Sequence, residues 1–115
     1  MSKIADDVYK ELKLLFPYET IEPEYYIWYK GSRLFFDYFL RGMNVLIEVQ
    51  GRQHFEFVKH FHGDAEAFKA QKYRDNLKRE YIEENPELTL VLFYDKKDKI
   101  TKELVVQRIY EAQCE

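Results

Sequence analysis

Two acidic residues stand where the chain is otherwise apolar. Asp37 is flanked by Leu34, Phe35, Phe36, Tyr38, Phe39 and Leu40, and Glu48 follows Val45, Leu46 and Ile47. Gln50, Gly51, Gln53 and His54 come directly after. A carboxylate inside a buried strand is costly unless something compensates it. Two of them on adjacent strands also repel each other. A divalent cation between them removes both problems. The segment from Arg33 to His54 therefore points to a metal site.

The elements that must position these residues can be read along the chain. Ile4, Val8, Leu12 and Leu15 recur at helical spacing and predict a helix over residues 3–16, stopped by Pro17. Residues 18–24 read as an acidic loop with Pro23, and Tyr25–Tyr29 as a strand turned by Lys30-Gly31-Ser32. Leu34–Leu40 and Asn44–Gln50 read as two further strands, antiparallel across a turn at Arg41-Gly42. Strand alternation places Asp37 on one face with Phe35 and Phe39, and Glu48 with Leu46 and Gln50. Residues 51–63 have no clear period and hold His54, His60 and His62, so they read as a loop. Asp64 is a good N-cap for a helix from Ala65 to about Glu84, closed by Asn85-Pro86. The run LTLVLFY, Leu88–Tyr94, is expected to be a central buried strand. Thr101 should cap a last helix with Leu104, Val105, Ile109 and Ala112 inward. The expectation is one α/β domain over residues 1–115, with a mixed sheet of about four strands flanked by helices in the order α-β-β-β-α-β-α.

At about 100° per residue, Gln71, Asp75, Lys78 and Ile82 fall on one line of the long helix, with Phe68 close to it. Ala70, Tyr73, Leu77 and Tyr81 form a separate apolar stripe, expected to face the main core. The first line either faces the metal site or is a solvated polar face.

Bulk composition narrows the classes. With 46% hydrophobic and 17% aromatic residues the chain can build a core without staples, and its single cysteine, Cys114, excludes an internal disulfide framework and a multi-cysteine zinc site. The net charge of −3 argues against a large non-specific nucleic-acid binder but not against a local basic patch. No apolar run approaches the roughly 20 residues needed to span a bilayer, and MSKIADDVYK does not read as a signal peptide. A cytoplasmic setting without membrane association is expected.

The pattern D-(10 residues)-E-x-Q in a β-hairpin, between two helices, resembles the PD-(D/E)XK nuclease superfamily. The likeness runs from about Leu12 to Tyr94. It is nearest the very-short-patch repair and phage homing endonuclease branch called EDxHD. The segments that carry it are FDYFL at 36–40, IEVQGRQH at 47–54 and FKAQKYRDNLK at 68–78. The resemblance implies a restriction-endonuclease-like core and a bacterial or phage-infected cell. It makes Asp37 and Glu48 the metal-binding carboxylates, puts Gln50 at the superfamily's lysine position, and matches His54 and Asp75 to its histidine and helix aspartate. Asp6, Asp7 and Glu11 are all candidates for its first acidic residue. Phe36 stands where the pattern has proline, and Gln50 where it has lysine. Glutamine cannot act as a base at neutral pH, although its amide can orient water or a ligand.

The implied activity is a Mg²⁺-dependent DNA endonuclease, with Mn²⁺ able to substitute. Asp37, Glu48 and the backbone carbonyl of Val49 would hold the metal, His54 would transfer a proton, and Asp75 would support. Lys72, Arg74, Lys78 and Arg79 would contact phosphates. Tyr25, Tyr26, Trp28 and Tyr29 are dense enough for one face to stack bases. DNA is the expected partner, met as a homodimer or beside a DNA-recognition protein, because two cuts need two sites. The other readings are a catalytically silent nucleic-acid-binding or assembly module on the same fold, and a nuclease for RNA or branched DNA.

Overall fold

The computed structural model describes residues 2–51, 65–95 and 97–114. Its elements are α1 (Lys3–Leu15), β1 (Ile21–Tyr29), β2 (Ser32–Leu40), a short 3₁₀ turn (Arg41–Met43), β3 (Val45–Gln50), α2 (Ala65–Glu84), β4 (Thr89–Tyr94) and α3 (Lys102–Gln113). Among the described residues the sheet has four strands in the order β1-β2-β3-β4. β1, β2 and β3 are antiparallel neighbours, and β4 joins β3 in parallel. The protein is thus α/β with a mixed four-stranded sheet, as its sequence predicts.

Local chemistry explains most boundaries. Ser2 caps α1 by accepting from the Ala5 amide, and Thr101 caps α3 by accepting from Leu104. Lys30 and Gly31 both have positive φ, 49° and 77°, between the paired residues Tyr29 and Ser32. That is the two-residue turn whose twist suits a hairpin. Asn44, at φ 55°, ends the 3₁₀ turn in the left-handed region that asparagine tolerates.

Helices pack on both faces of the sheet. On one face, Tyr38, Leu40, Val45, Ile47, Val91 and Phe93 pack with Ala5, Val8 and Leu12 of α1 and Val105 and Ile109 of α3. Here the Tyr38 hydroxyl donates to the carbonyl of Ala5 at 2.9 Å, and burial pushes its pKa up to about 12. On the other face, Leu34, Phe36, Phe39 and Leu46 pack with Leu77 of α2.

Four expectations are corrected. β1 begins at Ile21, inside the segment read as a loop. Pro23 is accommodated because β1 is an edge strand. LTLVLFY is at the sheet's other edge, not its centre. It is apolar because helices cover both its faces, so Val91 and Phe93 serve one layer while Leu88 and Leu90 pack into the other. The apolar stripe of α2 buries only Leu77 fully, with Tyr81 packed beside it, whereas Ala70 and Tyr73 are exposed. The fourth correction concerns Asp37. Phe35 is exposed and Phe39 buried, so the two do not share its environment. Leu34 and Phe36 face α2, yet Tyr38 and Leu40 face α1, so the alternation changes phase at Asp37. Opposite it, Glu24 has φ 50°, and neither residue is among the paired positions of the β1–β2 ladder.

Candidate functional site

The phase change makes a fork in the sheet. β2 and β3 pair only at Tyr38–Ile47, Phe39–Leu46 and Leu40–Val45. At the next position the ladder stops, and the side chain of Asp37 takes over. Its Oδ2 accepts a 2.6 Å hydrogen bond from the amide of Val49. A buried backbone N–H must find an acceptor, and here a carboxylate supplies it. Asp37 is thereby held beside the residue that follows Glu48.

Glu48 is the buried charged residue of the sheet among the described residues, 7% exposed, and points to the α2 side. Its Oε2 lies 2.6 Å from Nζ of Lys78, and that ammonium also sits 5.1 Å from the Phe36 ring centre. An ammonium that close compensates a carboxylate that burial would otherwise penalise. Glu48, Gln50, Asp75, Lys78, Arg79 and Leu92 line a cavity of about 250 Å³. Asp75, Lys78 and Ile82 of the α2 line therefore border this cavity, while Gln71 of the same line does not.

Not every candidate gathers here. Lys72 and Arg74 lie on the N-terminal half of α2 and do not line the cavity, and Lys72 stacks 5.7 Å from the Phe68 ring centre. Asp7 and Glu11 line a different cavity, of about 610 Å³, with Asp95 and Asp98. Asp6 is exposed. α1 covers the opposite face from α2, so none of the three acidic residues reaches Glu48's cavity. His54, His60, His62 and the Asp64 cap lie outside the described residues.

Sequence reasoning placed Lys78 among phosphate contacts and missed its pairing with Glu48. The signal was its position on one helical line with Asp75 and Ile82. It also missed Asp98 and Arg108, which form a bidentate pair at 2.7 and 3.0 Å. Arg108 donates further to the carbonyl of Leu92, and Asp98 accepts from the amide of Tyr94. The Arg108 guanidinium holds the Asp98 carboxyl below its usual range. This pair ties the segment after β4 to α3, next to where Asp95 donates to the carbonyl of Gln50 at 3.0 Å.

The candidate donors are all oxygens: the Asp37 carboxylate, which is tied to the Val49 amide and does not line Glu48's cavity, the Glu48 carboxylate, and the carbonyl of Val49 between Glu48 and Gln50. That set suits a hard divalent cation which keeps several waters. Among the described residues, no group of three or more His, Cys, Asp or Glu could hold a metal ion.

Comparison with known proteins gives two partial likenesses. A stretch of 52 residues, 45% of this chain, is 42% identical to "Uncharacterized protein 307L" of Invertebrate iridescent virus 6 and covers 26% of its length. A stretch of 55 residues, 48% of this chain, is 40% identical to "Uncharacterized protein 033L" of Invertebrate iridescent virus 3 and covers 28% of its length. The matches thus span little more than a quarter of those relatives. No family model matches the chain, and no solved structure matches it. Among the described residues, no helix is long and apolar enough to cross a membrane.

Proposed function

We propose that the protein is a metal-dependent endonuclease that hydrolyses phosphodiester bonds in DNA, on a core of the restriction-endonuclease-like type. The observation that carries this reading is the fork: Asp37 is tied to the Val49 amide at 2.6 Å, one residue beyond the buried Glu48. Asp37, Glu48 and the Val49 carbonyl would hold Mg²⁺, or Mn²⁺ in its place. Bound there, the ion would lower the pKa of a coordinated water and polarise the phosphoryl oxygen.

The remaining residues divide the other tasks. Lys78 brings into Glu48's cavity the positive charge that the superfamily draws from the position of Gln50. Gln50 orients water through its amide. Asp75, on the wall of the same cavity, supports that arrangement. His54, assigned from its place after β3, transfers the proton. Lys72 and Arg74, outside the cavity on the same helix, meet flanking phosphates. Double-strand cleavage would need a second copy or a partner protein.

A second reading is a catalytically silent nucleic-acid-binding module. It is favoured by the Lys78–Glu48 contact, which already neutralises one of the two carboxylates. The test is cleavage of supercoiled plasmid by purified protein in Mg²⁺ or Mn²⁺, beside Asp37→Asn. Nicked or linear product that disappears in the variant supports the nuclease. No product on supercoiled, single-stranded or branched DNA, together with no Mn²⁺ binding, removes it and leaves the binding module.

A further inference from the structure

The helices do not cover the whole sheet. On the α1 and α3 side the packed cluster includes Ile21 of β1 and Tyr38 and Leu40 of β2, and nothing from the outer part of the hairpin. That outer part, beyond the phase change at Glu24 and Asp37, has one face that no described residue packs against.

Four residues occupy it as a square. Tyr26 pairs in register with Phe35, and Trp28 with Arg33. The Tyr26 and Phe35 rings are 5.6 Å apart, centre to centre. The Arg33 guanidinium lies 4.9 Å from the Phe35 ring centre, 5.3 Å from Tyr26 and 5.8 Å from Trp28. The rings are nevertheless open to solvent: Tyr26 is 49% exposed, Trp28 68% and Phe35 45%. Three such rings side by side form an apolar surface patch of the kind that marks an interaction site.

Arg33 indicates what the patch takes. Lys30 is paired with Glu80, Arg41 with Glu22, Lys78 with Glu48 and Arg108 with Asp98. Arg33 has no ion pair and no side-chain hydrogen bond among the described residues; it rests only on aromatic rings. Its N–H groups therefore remain available to an anion. An apolar protein partner laid over this face would bury that unpaired charge, which is costly. A nucleotide strand presents flat π faces to the rings and a phosphate to the guanidinium, and a sheet face with aromatic rings is suited to stacking splayed bases.

We propose that the bare face of the β1–β2 hairpin binds single-stranded nucleic acid, stacking unpaired bases on Tyr26, Trp28 and Phe35 with Arg33 on a phosphate. Paired bases inside a duplex cannot lie on these rings. The inference shares the nucleic-acid reading above, but it does not require that the fork be catalytic.

Trp28 is the sole tryptophan, so its emission reports this face alone. The experiment titrates the whole chain, without divalent metal, with a 12-nucleotide oligo(dT), an oligo(U) of the same length and a 12-base-pair duplex. Overall binding is followed separately by anisotropy of labelled oligonucleotide. Saturable quenching by either single strand, little by the duplex, and at least tenfold weaker binding by Arg33→Ala and Trp28→Ala support the proposal. The two single-strand arms distinguish DNA from RNA. Binding seen by anisotropy with no change in Trp28 emission places the nucleic acid elsewhere and overturns it. So does emission that changes with protein concentration alone, which makes a second copy the occupant, or absence of single-strand binding by either readout. Quenching without plasmid cleavage removes only the nuclease reading; cleavage without quenching removes only this one.

Discussion

Nζ of Lys78 stands 2.6 Å from Oε2 of Glu48, and both side chains are largely withdrawn from solvent, at 15% and 10% exposure. The contact joins α2 to β3 and brings a helix cation to a strand carboxylate. Replacing Lys78 by Met should leave that carboxylate without its ammonium and destabilise the fold by about 3 kcal/mol. In the nuclease reading, Lys78→Met loses cleavage by at least about a hundredfold, while Mn²⁺ restores more of its thermal stability than it adds to the unaltered protein. Melting curves with and without Mn²⁺ check this. Equal Mn²⁺ stabilisation of both forms would argue that the carboxylate is not a metal ligand.

Asp37 has two separable duties. Its carboxylate accepts from the Val49 amide, and it carries charge at the fork. Asparagine keeps an acceptor and loses the charge; alanine loses both. Asp37→Asn should therefore melt close to the unaltered protein, while Asp37→Ala loses about 1–3 kcal/mol through the orphaned amide. Both should lose Mn²⁺ binding in calorimetry. A stable, metal-binding Asp37→Asn would rule out a metal role for this residue.

Lys72 and Arg74 lie on α2 away from the cavity, where a flanking phosphate is their expected partner. Substituting Arg74 by Ala should lower the salt dependence of DNA binding by about one phosphate's worth, a change near 0.9 in the log–log slope. Lys78→Met should leave the slope unchanged, since its charge is already committed to Glu48. Binding isotherms between low and moderate salt measure the difference.

Asp98 makes a prediction about acid stability. Its pKa is lowered, first by the hydrogen bonds from Arg108, from an ordinary value of 3.8. A carboxyl depressed in the folded state contributes its full stability above its unfolded pKa, and that contribution fades as pH falls through the folded value. Asp98→Asn should therefore cost about 2 kcal/mol at neutral pH. The gap between variant and parent should close below about pH 4. A gap that stays constant into acid would show that the pair's charge contributes nothing.

How much of this was legible in the sequence depended on whether a feature was local. The Thr101 cap of α3, the Lys30-Gly31 turn and the span Ala65–Glu84 follow from short-range chemistry, and the chain states that chemistry openly. Periodicity reports burial and is silent about neighbours. LTLVLFY looks the same at the centre of a sheet as at an edge with helices on both faces. Alternation also assumes an unbroken ladder, and it misassigned Phe35 and Phe39 because β2 changes phase at Asp37. For the site, helical geometry put Asp75 and Lys78 on one line, yet only the packing of α2 on β3 shows that the line meets Glu48. The bare aromatic square was half visible: Tyr26 and Trp28 stood out by density, while Phe35 and Arg33 join them only through the β1–β2 register.

The one parallel pairing among the described residues, β3 with β4, bears on how the molecule comes together. β1, β2 and β3 are linked by short turns, so their contacts close over small sequence separations. β4 joins only after the chain has crossed past α2, and such long-range pairings are the slow part of folding. Glu48 belongs to the early meander, whereas Lys78, Leu90 and Leu92, which complete its cavity, arrive with the crossover. Until they arrive, the carboxylate of Glu48 lies open to water.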